Sequence, residues 1–199
     1  LVSINKKSLI VKAVEELKKV SVNSKITIVT GFQSNQIKKE LRNYKNLNYL
    51  YNNQYYKREM LYSFLLALKK YNTDIFFCYS DIIFSNKTIK SALKDKRSIV
   101  LPINTNWKKI WKIRKKNPYK DAEHIEINKK NELLSIGKKI KNIKKTKYQY
   151  MGLVYIPLNL RKNILKNYND IKNNKKTHLT TFLNFLIKKN IKIKCVKSK

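Results

Sequence analysis

Between Arg58 and Phe84 the chain passes from a helical pattern to an apolar strand across one short polar break, and this unit constrains the fold more than any other stretch. Met60, Leu61, Phe64, Leu65, Ala67 and Leu68 recur at helical spacing. Asn72-Thr73-Asp74 interrupts the period, and Ile75-Phe76-Phe77-Cys78-Tyr79 is an apolar run of strand length. A buried strand that follows directly on an amphipathic helix belongs to an α/β sheet.

The same alternation runs through the first hundred residues. Ser8 is placed to cap a helix from Leu9 to Val20, with Leu9, Ala13, Val14 and Leu17 on one face. Lys25 to Thr30 alternates as a strand that meets Gly31. A helix from Ser34 to Leu41 and a strand from Leu47 to Tyr51 follow. Ser85-Asn86 opens a short helix to Leu93, and Ser98 to Pro102 is the next buried strand. The second half reads as a hairpin (Ala122–Ile127 with Glu132–Ile136), a strand from Gln149 to Ile156, helices Leu158–Tyr168 and Thr177–Lys189, and a last strand Ile191–Val196. No repeat and no disordered linker divides the chain. The pattern predicts one mixed α/β domain over residues 1–199, with a mostly parallel, doubly wound sheet flanked by helices.

Composition excludes some functions and weakens others. At 199 residues with 42% hydrophobic content, one domain can bury a sizeable core. No apolar run reaches the roughly 18 residues a membrane span needs, so membrane insertion is not expected. Cys78 and Cys195 form no disulfide framework and read as reduced, buried thiols, which suits the cytoplasm. The formal net charge of +34 invites a nucleic-acid reading. Its make-up argues against one. The chain has 41 Lys and 5 Arg beside 24 Asn, the mark of a coding bias spread over surfaces, whereas nucleic-acid readers lean on Arg. Only Lys138–Lys147 is dense enough to be a patch. Leu1 opens a strand-like LVSI, so the chain reads as a fragment whose natural start lies upstream.

Against so basic a background, single acids stand out. Only 12 of the 199 residues are Asp or Glu. Asp81 closes the buried strand and is followed by Ile82-Ile83-Phe84. The carboxyl ends of strands are where α/β sheets bind ligands, and an uncompensated carboxylate in apolar surroundings is costly. A metal ion on a polyphosphate is the leading reason for it. Gly31 follows a strand directly, as a positive-φ turn or a point of close approach to a ligand. Glu123 lies in an alternating stretch, Gly137-Lys138-Lys139 ends a strand with two cations, and Trp107 and Trp111 stand four apart on a helical segment, most simply as a packed face. His124 reads as structural or at a substrate's edge. No zinc signature, no serine–histidine–acid arrangement and no Gly-rich phosphate loop is present in these residues.

Taken in order, several of these pieces resemble the sugar-phosphate nucleotidyltransferase family, within it the phosphocholine cytidylyltransferase-like branch. They are Leu1-Val2-Ser3-Ile4 with Lys7-Ser8-Leu9-Ile10, Ile28-Val29-Thr30-Gly31-Phe32, Glu59-Met60-Leu61-Tyr62-Ser63 and Tyr79-Ser80-Asp81-Ile82-Ile83-Phe84. Trp107, Trp111, Asp121-Ala122-Glu123, Ile136-Gly137-Lys138-Lys139 and Gln149-Tyr150-Met151-Gly152-Leu153 continue the series. The resemblance implies a Rossmann-like domain of the nucleotide-diphospho-sugar transferase type. It implies a cytoplasmic enzyme that transfers a nucleoside monophosphate, most simply CMP from CTP, to phosphocholine or a sugar phosphate. Pyrophosphate is released, and the product serves surface polysaccharide or lipid synthesis. Carried over by position, Asp81 would be catalytic and bind Mg²⁺, with Lys139 holding the acceptor's phosphate and Lys138 beside it. Gly31 and Tyr79 would meet the nucleotide. Glu123, Gly152, Trp107 and Trp111 would face the acceptor, the tryptophans offering a face to a quaternary ammonium.

Departures from the family's pattern accompany these matches. Lys6 and Ser80 stand where the family has glycine, and Thr181 where it has an acid. The family's Gly-rich loop would precede Leu1, and its second metal-binding acid would follow Lys199. A domain truncated at both ends is therefore expected to be poorly active alone. Two other readings remain open: a non-catalytic binder of nucleotides or sugar phosphates, and a basic nucleic-acid-binding module.

Overall fold

The computed structural model describes residues 1–21, 24–113, 122–140, 146–171 and 176–198. Asp121 and half of the lysine-rich stretch 138–147, residues 141–145, fall outside them.

The elements follow the expected order closely. A small hairpin, β1 (Ser3–Ile4) with β2 (Lys7–Ser8), leads into α1 (Leu9–Lys18), where the Ser8 hydroxyl accepts from the Val11 amide. Then come β3 (Ile26–Thr30), α2 (Ser34–Glu40), β4 (Leu47–Tyr51), α3 (Met60–Lys70), β5 (Ile75–Cys78) and α4 (Asn86–Ala92). The second half holds β6 (Ile99–Asn104), α5 (Trp107–Lys112), β7 (Glu123–Ile127), β8 (Leu133–Lys139), β9 (Gln149–Tyr150), β10 (Leu153–Ile156), α6 (Leu158–Asn169), α7 (Leu179–Lys188) and β11 (Ile193–Ser198). The strand expected over Gln149–Ile156 is two strands, because Gly152 at φ +71° turns the chain between them.

The main sheet runs β11-β6-β10-β5, with β9 on β6. β11 is parallel to β6, whereas β10 is antiparallel to both β6 and β5, so β5, β6 and β11 share one direction. β3 and β4 form a separate parallel pair. The early residue Phe64 of α3 meets the late residue Phe77 of β5, while Tyr71, just past the helix end, meets Thr27 near the start of β3. α3 therefore runs opposite to both strands, and β3 points the same way as β5. β3, β4, β5, β6 and β11 share one direction, and β9 and β10 are reversed, so the sheet is mixed, with β11–β6 its parallel pairing.

Side chains alternate across this sheet with period two. Phe77, Ile99, Leu101, Ile103, Val154, Ile156 and Ile193 face the main core with α3, α6 and α7. Phe76, Cys78, Leu153, Val100 and Tyr155 face the other way, where α1 and α4 contribute Ala13, Ile89 and Ala92. Helices on both faces make this a three-layer α/β/α arrangement. Among the described residues no helix is long and apolar enough to cross a membrane.

Candidate functional site

β5 ends at Cys78, and the chain then leaves the sheet through Tyr79, Ser80 and Asp81. The Tyr79 amide is held by the Gly152 carbonyl at 3.1 Å, the last tie to β10. Asp81 lies beyond it, exposed in a turn. This corrects the expectation of a carboxylate set in apolar surroundings. Because the strand stops three residues earlier, Asp81 keeps its hydration and bears no burial cost that would demand a partner. Its place at the carboxyl end of β5 stands.

The β7–β8 hairpin brings a second group to the same region. Glu123 pairs across the strands with Lys139, and His124 with Lys138, so that each pair shares a face of the hairpin. Glu123 is half-buried. Burial pushes its carboxyl above the ordinary value, opposed by the nearby His178 and by a bond from the Thr180 hydroxyl. Thr180 also sits beneath Gly137, where an added Cβ would come 2.8 Å from Thr180 Oγ1. His178 Nδ1 lies 3.5 Å from Glu59 Oε2, which draws the start of α3 into the group.

Tyr79 lies close enough to both carboxylates to feel their charges. Burial raises its phenol to about 12, and the charges of Glu123 and Asp81 push in the same direction. Its ring meets Tyr150 edge-on at 6.2 Å, and burial holds the Tyr150 phenol well above its usual range. The fold thus gathers Tyr79, Asp81, Glu123, Lys139 and Gly152, which are distant in sequence. It adds Glu59, Tyr150, His178 and Thr180, which sequence reasoning missed. Glu59 and Tyr150 lie in stretches that carry the resemblance, but nothing local gives either a site role, and His178 and Thr180 enter together from the start of α7.

Other expected residues have local structural partners. A Cβ on Gly152 would lie 2.9 Å from the Tyr79 ring, and one on Gly31 only 2.6 Å from Tyr55 Cβ. Gly31 does not have positive φ, so close approach to Tyr55, not a left-handed turn, is what its missing side chain permits. Trp107 is 0% exposed and packs edge-to-face on Trp111 with centroids 5.9 Å apart. The Trp107 ring is enclosed, so the expected open face for an ammonium is corrected to a packed one, with Trp111 the half-exposed member. His124 Nδ1 lies 3.4 Å from Thr146 Oγ1, a structural contact.

Among the described residues no three His, Cys, Asp or Glu side chains cluster to hold a metal. Magnesium on a polyphosphate needs only one or two carboxylates, its other ligands being phosphate oxygens and water. Asp81 fits that demand. It is exposed and has no ion pair among the described residues, whereas Glu15, Glu16, Asp74, Asp95, Glu132 and Asp170 each hold a lysine.

No family model matches the chain. A curated protein does: the CTP:phosphoglutamine cytidylyltransferase of Campylobacter jejuni is 26% identical over 203 residues, covering 95% of this chain and 79% of that protein. This chain is a relative of the nucleotidyltransferases. Solved structures agree on the fold. The inositol-1-phosphate CTP transferase from T. maritima superposes with a TM-score of 0.73 at 17% identity, over 95% of this chain and 72% of that one. The CTP:phosphocholine cytidylyltransferase from Streptococcus pneumoniae superposes with a TM-score of 0.64 at 14% identity, over 100% and 79%. The Rossmann-like α/β architecture expected of such a nucleotidyltransferase relative is the one found.

Proposed function

We propose that this protein is a cytidylyltransferase that joins CTP to a small phosphorylated acceptor. The observation that carries the reading is the convergence of Asp81, Tyr79, Glu123 and Lys139 beyond the carboxyl end of β5 in a chain related to a CTP-using enzyme. A phosphate oxygen of the acceptor attacks the α-phosphorus of CTP in line. The bond from that phosphorus to the bridging oxygen breaks, and pyrophosphate leaves with the electron pair. Asp81 is the group to hold Mg²⁺, which when bound would neutralise triphosphate charge. Lys139 is placed to meet the acceptor's phosphate, with Lys138 across from His124 on the same strand. Glu123, half-buried on the face it shares with Lys139, would accept a hydrogen bond from the acceptor's remaining polar groups. Tyr79 lies within reach of the charges of both Asp81 and Glu123. Gly31, at the end of β3, would lie toward the nucleotide.

Phosphocholine, phosphoglutamine, inositol 1-phosphate and a hexose 1-phosphate are the acceptors to compare. The test measures pyrophosphate release with CTP and Mg²⁺ for each, alongside CTP affinity by calorimetry. The expected result is acceptor-dependent release, slow in these 199 residues, and metal-dependent CTP binding that Asp81→Asn weakens about tenfold or more. Equal metal-dependent binding by both proteins would remove Asp81 from the site. Binding without any release would favour the non-catalytic reading, to which Ser80 and Thr181 lean.

A further inference from the structure

Every exposed aromatic side chain among the described residues lies between Phe32 and Tyr56. Phe32, Tyr51 and Tyr56 are 68%, 58% and 64% exposed, with Tyr49 and Tyr55 less so. Single exposed hydrophobic residues are ordinary, but a contiguous group marks an interaction site. These rings are contiguous. Phe32 meets Tyr55 with ring centroids 6.4 Å apart, and Tyr55 meets Tyr56 edge-on at 5.4 Å. Tyr51 pairs with Thr30 in the β3–β4 ladder, two residues before Phe32, and Tyr49 shares the same face of β4.

The turn after β4 holds the rings in place. The Asn52 amide donates to the Thr30 carbonyl at 2.7 Å, and its side chain accepts from the Gln54 amide and donates to the Ser63 hydroxyl. Asn52 is buried, and the turn it fixes sets Tyr55 against Gly31. The aromatic group therefore stands on ordered backbone, which lowers the entropy lost when a ligand lies on it.

Cations accompany the rings. Lys38 Nζ lies 5.6 Å from the centroid of the Tyr49 ring, and Lys57 Nζ 5.2 Å from that of Tyr56. From Phe32 to Arg58 the chain carries Lys38, Lys39, Arg42, Lys45, Lys57 and Arg58 against one acid, Glu40. An apolar partner would use the rings alone, and a duplex, whose bases are stacked inside, the cations alone. A ligand that offers flat ring faces and phosphates in alternation uses both, and an unpaired nucleic-acid strand is such a ligand. Arg serves the bidentate reading of base edges, whereas stacking tolerates any sequence and needs no such fork.

We infer that the exposed end of β3–β4 is a stacking platform for single-stranded nucleic acid, ribose or deoxyribose alike, bound without regard to sequence. Bases stack on Phe32, Tyr51 and Tyr56, and Lys38 and Lys57 meet the phosphates beside them. The inference is independent of the reaction proposed, in which these rings have no assigned part.

The test is fluorescence anisotropy on the 199-residue protein with dT and U strands of about 12 nucleotides and a duplex of the same length. At about 200 mM salt the two strands are expected to bind alike, and at least about tenfold more tightly than the duplex. Tyr51→Ala and Tyr56→Ala are each expected to weaken strand binding about fivefold or more without changing its salt slope, because stacking releases no counterions. Both sites are exposed, so the urea midpoint should hold. Tyr51→Phe and Tyr56→Phe keep the rings and should keep the affinity. Lys38→Gln/Lys57→Gln is expected to make the salt slope shallower by about 1.4. Equal binding of strand and duplex, or strand binding that the alanine variants leave unchanged, would overturn the inference. The second result, joined by a loss of CTP binding, of self-association or of adhesion to anionic vesicles, would assign the rings to that occupant instead.

Discussion

At the scale of single residues, glycine and acid positions carry the clearest consequences. Gly31→Ala would place a methyl 2.6 Å from Tyr55 Cβ and 2.7 Å from its Cγ. Overpacking of this kind is expected to cost about 1–3 kcal/mol. Urea unfolding checks it, and a Gly31→Ala/Tyr55→Ala double variant should recover part of the loss through coupling between the two sites. Additive losses would mean that Tyr55 is not what excludes the side chain. Glu123 makes a different demand. Its folded pKa is raised, so between the ordinary carboxylate value and the raised one the folded protein binds more protons than the unfolded chain. Its contribution therefore favours the folded state at the acid end of that window and is lost as pH rises through it. Asp74 and Asp95 act oppositely. Burial would raise them, but bonds from Lys96, Tyr155 and the Leu158 amide, and from Lys194 and the Arg97 and Ser98 amides, outweigh it and hold both below their ordinary values. Their stabilisation is lost as pH falls through those lowered values. Glu123→Gln should thus flatten the decline of stability with rising pH just above the carboxylate range and leave the acid limb intact. A stability-against-pH series of the two proteins reads this directly.

At the scale of elements, the β8 strand that carries Lys139 is clamped from one side chain. Asn184 of α7 accepts from the Ile136 amide at 3.0 Å and donates to the Ile136 carbonyl. Ile136 is fully buried, so Asn184→Leu leaves two backbone groups without their partner, at about 1–3 kcal/mol each. The expected outcome is a lower urea midpoint and faster exchange of the Ser135–Lys138 amides. Unchanged exchange would show that β7 alone holds β8. Sequence periodicity found nearly every helix and strand here, because burial of one face imposes its spacing on each element by itself. Partnership left no such trace. Asn184 within a helical run, His178 before it and Tyr150 on a two-residue strand gain meaning only from elements far away in sequence. The exposure of Asp81 was hidden for a related reason. Ile82, Ile83 and Phe84 look like a continuing strand, yet Ile83 is exposed, Phe84 is buried and Ile82 packs only partly against the same cluster. The separate β3–β4 pair was equally invisible, since a strand's own residues do not say which edge is paired.

At the scale of the whole molecule, the charge of +34 is the dominant field. Six carboxylates, Glu15, Glu16, Asp74, Asp95, Glu132 and Asp170, are each engaged by a lysine, far fewer than the 41 lysines of the sequence, so the excess positive charge is large. Such a charge attracts any polyanion without reading it. It also raises the local concentration of small anions such as a triphosphate, while the exposed Asp81 has no ion pair among the described residues. The two effects separate by salt and by mutation. Duplex DNA is expected to bind at about 50 mM salt regardless of sequence. If about six phosphates are neutralised, affinity falls about 10³-fold by 200 mM. Asp81→Asn should leave that binding unchanged while weakening metal-dependent CTP binding at either salt. Fluorescence anisotropy with two unrelated duplexes, repeated across the salt series, makes the measurement. Sequence-selective binding that survives 0.5 M salt would mean that part of this surface is built to recognise nucleic acid. Loss of DNA and CTP binding in parallel on substituting Asp81 would mean that one site serves both polyanions.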